Sequence, residues 1–117
     1  EIARKKQIYI VFYNEFMLEN FLYDIAPERM QHYLDLFLDK IKPDEVNDYI
    51  NLIDLFFQYE GSIKQIAKAK FVHINTIQYR LQKLIDFTGY DIRKPSESIY
   101  FQLLLRFYRI LISTQDK

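Results

Sequence analysis

A chain of 117 residues with 50% apolar and 27% charged side chains is long enough for one modest core and too apolar to be disordered. Its 16 lysines and arginines balance 16 aspartates and glutamates, which excludes a globally basic nucleic-acid binder but not a locally basic face. Cysteine is absent, which excludes disulfides, thiolate zinc sites and a cysteine nucleophile, and 2 glycines with 3 prolines are too few turns for an all-β sandwich or barrel.

Residues 1–13 are expected to be a junction with, or a remnant of, an upstream domain, and the start at Glu1 rather than Met fits part of a longer protein. Ile8 to Tyr13 (IYIVFY) is the longest apolar run, far too short to cross a bilayer, and no signal peptide opens the chain. Its β-favouring residues show no helical period, so they read either as a strand of a missing domain or as the start of a buried helix. Residues 14–43 read as a helical linker region. Within it Phe16, Met17, Phe21 and Ile25 recur at helical spacing, and Pro27 opens a new helix with a stripe of Met30, Leu34, Phe37 and Ile41.

Lys42-Pro43 breaks that helix, and Asp44 is expected to cap the next, whose stripe is Val46, Ile50, Ile53 and Phe57. Gly61 ends it as a left-handed residue would. Ser62-Ile63-Lys64-Gln65 reads as a capping box that starts a short helix with Ile63, Ile66 and Ala67 inward. Phe71-Val72 interrupts that helix, and a longer one follows over about 73–87 with Ile77, Leu81, Leu84 and Ile85 inward. Gly89 stops it, and Pro95-Ser96-Glu97 leads into a last helix with Ile99, Leu103, Phe107 and Ile110 inward. The expected fold is an all-α bundle of about six helices.

Charge is unevenly spread along this plan. Asp44, Glu45, Asp48, Asp54 and Glu60 fall in a stretch without lysine or arginine, while Lys64, Lys68, Lys70, Arg80 and Lys83 fall between Gly61 and Ile85 without an acid. The balance swings from −5 to +5 within about forty residues, either as chance clustering on a solvated face or because 61–85 faces an anion and the acids face elsewhere.

A capped short helix, a tight turn and a longer helix form a helix-turn-helix candidate. Such a pair places its second helix in the major groove, N-terminal residues toward base edges, while the first braces across the backbone. Ser62 and Lys64 suit the brace, and Asn75 and Gln78 can pair with base edges. Thr76, Tyr79, Arg80 and Lys83 can reach phosphates. Each has a plainer reading beside it: local capping for Asn75, helix initiation for Thr76, cover of the neighbouring helix for Tyr79, and solvated charge for Arg80 and Lys83. His73 suits a cap or the turn better than a base contact, and it is no metal ligand because the other histidine, His32, lies on a separate helix without ligand spacing. Carboxylates such as Asp44, Glu45 and Asp48 are helix-start residues, and no phosphate loop, nucleophile–base arrangement or metal motif occurs, so neither an enzyme nor a cofactor is expected.

The stretch Gly61-Ser62-Ile63-Lys64-Gln65-Ile66-Ala67, with Phe71-Val72-His73-Ile74-Asn75-Thr76-Ile77-Gln78-Tyr79-Arg80-Leu81, resembles the C-terminal helix-turn-helix of the PucR/CdaR family, bacterial regulators of purine-catabolism and sugar-diacid genes. Thr88 to Ile92, Pro95 and the helix over Phe16 to Ile41 also resemble that family, so the likeness covers roughly residues 13–112. It implies an all-helical, distantly Fis-like DNA-binding output domain over 44–117, cytoplasmic, without membrane contact, acting on double-stranded DNA as a homodimer. An effector small molecule would bind elsewhere in the full-length protein. Ile74 stands where the family often has arginine or lysine, which exchanges a charged contact for an apolar one, such as a thymine methyl. The rival expectation is a protein-interaction or dimerisation module that keeps the fold without DNA binding.

Overall fold

Pro27 sits in the first turn of the first complete helix, α1 (Pro27–Leu38), where its fixed φ and missing N–H cost nothing. The computed structural model describes residues 20–115. It continues through α2 (Val46–Gln58), α3 (Ile63–Lys70), α4 (Ile74–Thr88) and α5 (Pro95–Gln115). With helical residues 20–23 these make six helical segments and no strand among the described residues, the all-α bundle that the periodicity implies. The readings of Ile8 to Tyr13, Phe16 and Met17 lie outside the described residues.

The stripe on α1 is buried as its spacing predicts: Met30, Leu34 and Phe37 face inward, and Ile41 follows them just beyond the helix. Their partner is α5. The Phe37 ring meets Phe101 edge-on at 5.2 Å and stacks with Tyr33 at 5.5 Å, while Tyr33 meets Phe107 edge-on at 5.3 Å. Such aromatic pairs add roughly 0.5–1.5 kcal/mol each beyond the area they bury. The Tyr33 hydroxyl donates to the Tyr100 carbonyl at 3.0 Å. Burial, helped by the neighbouring Tyr90 and Tyr100 phenols, pushes the Tyr33 phenol up to about 12.

Four expectations shift register. Leu22, not Phe21, enters the core, and Phe21 is exposed. Asp44 does not cap α2: the Glu45 N–H donates to the Lys42 carbonyl at 2.8 Å, so Pro43 and Asp44 form the middle of a turn, and Glu45 takes the N-cap position without a side-chain cap. On α2 the face widens, with Tyr49, Leu52 and Phe56 joining Ile50 and Ile53 in the core while Val46 and Phe57 are only partly buried. The cause is that α2 packs against both α3 and α5. On α5 Ile99 is exposed and Leu103 half-buried, whereas Phe101, Leu104, Leu105 and Leu111 are buried along with the expected Phe107 and Ile110.

The turns follow backbone chemistry. Gly61 is left-handed at φ +79°, and a Cβ there would stand 3.3 Å from the Phe56 ring. Glu60 before it is left-handed as well. Ser62 Oγ accepts from the Gln65 N–H at 3.3 Å, worth roughly 1 kcal/mol. The reciprocal half of the capping box is not made, because the Ser62 N–H already donates to the Tyr59 carbonyl. Gly89, at φ +80°, ends α4. In the loop after it, Asp91 accepts from the backbone and guanidinium of Arg93, which holds its carboxyl below the usual range.

Candidate nucleic-acid interface

The α3–α4 corner is set by a left-handed residue that is not glycine. Phe71 has φ +57° and ψ +40°, and the Val72 N–H reaches back to the Ala67 carbonyl at 3.0 Å, the bond of a Schellman turn. This arrangement turns Val72 toward the core and Phe71 outward, where it is 95% exposed. Nothing in the residue type announces a left-handed, solvated phenylalanine, and sequence reasoning missed it.

His73 occupies the N-cap of α4, its Nδ1 accepting from the Asn75 N–H at 3.0 Å. In that tautomer Nε2 carries the proton of the neutral ring. Because the ring takes the capping bond, the Asn75 side chain is not spent on it and is exposed. Farther along α4, Gln78, Tyr79 and Gln82 are exposed too, so positions 75, 78, 79 and 82 form one polar stripe opposite Ile77, Leu81 and Leu84. Ile74 opens the helix, 38% exposed, beside this stripe. Thr76 is half-buried. Lys83 is half-buried with its ammonium 5.6 Å from the Tyr79 ring centroid, a cation–π contact. Gln82 leans toward Asp86 at 3.5 Å.

On the bracing helix, Lys64 and Lys68 are exposed beside the N-terminal and C-terminal turns, and Ser62 presents its hydroxyl at the start. Lys70 differs: it donates to Asn51 Oδ1 on α2 at 2.9 Å. Arg80 also differs. It is half-buried and, with Glu45, Asp48, Tyr49 and Tyr79, lines a pocket of about 160 Å³. The expectation that the acidic stretch faces away from the basic one therefore fails in part, since the start of α2 lies against α4. Tyr49 registers both charges: burial first and then Glu45 raise its phenol, while Arg80 opposes them.

Ser62 and Lys64 thus open α3, the exposed positions 74, 75, 78, 79 and 82 run along α4 beyond the corner, and Arg80 lies on the inner side of that helix. Among the described residues no group of histidines and carboxylates could hold a metal, and no helix is long and apolar enough to cross a membrane.

The sequence pattern of the PucR C-terminal helix-turn-helix domain matches residues 49–107, half of the chain. Among curated relatives, an uncharacterized protein of Bacillus subtilis, YsfB, is 29% identical over 97 residues, covering 83% of this chain and 26% of its own length. The purine catabolism regulatory protein of the same organism is 27% identical over 70 residues, 60% of this chain and 13% of that protein. An uncharacterized protein of Mycobacterium tuberculosis is 39% identical over 49 residues, 42% of this chain and 12% of its own. The chain therefore spans about a quarter or less of the curated relatives it matches. No solved structure matches it.

Proposed function

Since this chain belongs to the PucR C-terminal helix-turn-helix domain family, we propose that it is the sequence-specific DNA-binding output domain of a bacterial transcriptional regulator, with α4 in the major groove. The observation that carries this reading is the exposed stripe Asn75, Gln78, Tyr79 and Gln82, led by Ile74 at the helix start. Asparagine and glutamine can each make paired hydrogen bonds to adenine, and Ile74 suits a thymine methyl. Lys64, Lys68, Lys83, Thr76, Tyr79 and the Ser62 hydroxyl hold the backbone in this scheme, helped by the N-terminal N–H groups of α3 and α4. His73 and Gly61 act by shaping the helix start and the turn, not by touching DNA.

One such module buries little surface, so useful affinity needs two copies on a two-fold site, joined here or through upstream domains. Those domains would bind the effector small molecule, and the protein would work in the cytoplasm without membrane contact. It carries no catalytic role and needs no cofactor in this reading.

Fluorescence anisotropy of a labelled random-sequence duplex, titrated with the domain over several salt concentrations, tests it. Binding that weakens steeply with salt supports the reading and licenses selection of a specific duplex. No binding by the domain or by an artificially dimerised form points instead to an interaction module that has kept only the fold.

A further inference from the structure

Arg80 lies in the middle of the acid-free basic run, where a phosphate contact is the first expectation. Its place on the helix says otherwise. At about 100° per residue, Arg80 stands about 160° around α4 from both Gln78 and Gln82, and within about 60° of the core residues Ile77 and Leu84. With the polar stripe facing a groove, this side chain leaves from the far side. There it is half-buried, and the pocket it lines is completed by Glu45 and Asp48 from the first turns of α2, with Tyr49 and Tyr79. A guanidinium keeps its charge in a protein, and here it shares the pocket with these two carboxylates without a direct ion pair, so their attraction acts across the pocket. The Tyr49 phenol, raised by burial and then by Glu45 and lowered by Arg80, lines the same pocket.

We propose that Arg80 is a positioning residue, facing the carboxylates of Glu45 and Asp48 across the α2–α4 seam and so setting the angle at which α4 presents its stripe, instead of clamping a phosphate. The inference rests on the DNA-binding reading and refines it: the acidic start of α2 becomes part of the reading head's support.

The phosphate role and the positioning role separate in Arg80→Gln. A positioning residue predicts that affinity for a selected duplex falls about tenfold, that affinity for a random duplex changes less than about twofold, and that the salt slope stays the same. A phosphate clamp predicts equal losses on both duplexes and a slope shallower by about 0.9, which would overturn the proposal. A lowered Tm with neither affinity changed would also overturn it, leaving Arg80 a purely structural residue.

Charge exchange gives a second, independent reading. Arg80→Glu alone should weaken selected-duplex binding at least tenfold. Combining it with Glu45→Lys and Asp48→Lys should restore both Tm and selective binding to within about threefold, with Glu45→Lys/Asp48→Lys alone as the control for added charge. A triple variant that regains its Tm but not its selectivity overturns the proposal. If the unmodified domain binds no duplex at any salt, in single or dimerised form, the DNA reading itself falls and takes this one with it, whatever the exchange does to Tm.

Discussion

Lys70 donates its ammonium to Asn51 Oδ1 at 2.9 Å, which ties the last turn of α3 to the exposed flank of α2. One cation of the basic run is thereby spent inside the domain, on keeping the bracing helix in place. Arg80, half-buried in the pocket that Glu45 and Asp48 also line, stands off the polar stripe as well. Fewer cations of the run are placed to clamp a phosphate than the sequence count suggests.

The salt dependence of DNA binding should report this difference. Lys64, Lys68 and Lys83 remain for phosphates, so the log–log slope per monomer should lie near −2.7 at roughly −0.9 per contact, shallower than the −4.5 of all five cations. Anisotropy titrations across a series of KCl concentrations measure it. A slope near −4.5 would return Lys70 and Arg80 to the phosphates.

Base reading is tested by truncating the stripe. Asn75→Ala and Gln78→Ala should each cost about 1–3 kcal/mol on a selected duplex, relax its sequence preference at one position, and leave random-duplex binding and the salt slope unchanged. Competition titrations against single-position variants of the duplex give the result.

Phe71 makes an opposite kind of prediction. A left-handed backbone costs phenylalanine energy that glycine avoids, and the ring is 95% exposed, so it recovers little by burial. Phe71→Gly should therefore leave the domain as stable or raise it by up to about 1 kcal/mol, read from the urea midpoint at constant m-value. A loss of stability would mean that the ring packs on something in solution.

Tyr33 predicts a loss at high pH. Its phenol is held neutral up to about 12 in the folded chain, by burial first and by the Tyr90 and Tyr100 phenols second, against a usual value of 10.0. The folded state therefore keeps a proton that the unfolded state sheds, and stability falls as pH rises from 10 through about 12. The same proton makes the bond to the Tyr100 carbonyl. Urea midpoints of Tyr33→Phe should decline less over that window than those of the unaltered chain, because the other titrating groups are common to both.

These outcomes also mark what the sequence could and could not disclose. The α1 stripe was legible because Met30, Leu34, Phe37 and Ile41 keep one helical spacing that Gln31, His32, Asp35, Asp39 and Lys40 interrupt, although Leu36 and Leu38 are apolar as well. In α5 the run from Ile99 to Leu105 is apolar at almost every position, so several registers fit. The packing of Phe101 on Phe37 decides among them, and that contact is not local. Asp44 looked like a cap because its type is right, but the turn over Pro43 fixed the helix start one residue later. At the site, Ser62, His73 and the exposed positions of α4 followed from cap chemistry and period. The pocket that Arg80 shares with Glu45 and Asp48 did not, because charge counted along a chain says nothing about which helices pack together.

The Tyr33–Tyr100 hydrogen bond has one more consequence, in how the chain is assembled. It joins residues 67 apart, whereas α3 and α4 meet across a three-residue corner. Closing the longer loop costs more chain entropy, so the reading pair can form while the α1–α5 frame is still open. Weakening the frame, for example by Phe101→Leu, should then speed unfolding far more than it slows refolding, and the lifetime of the folded domain is set by two helices that need never touch DNA.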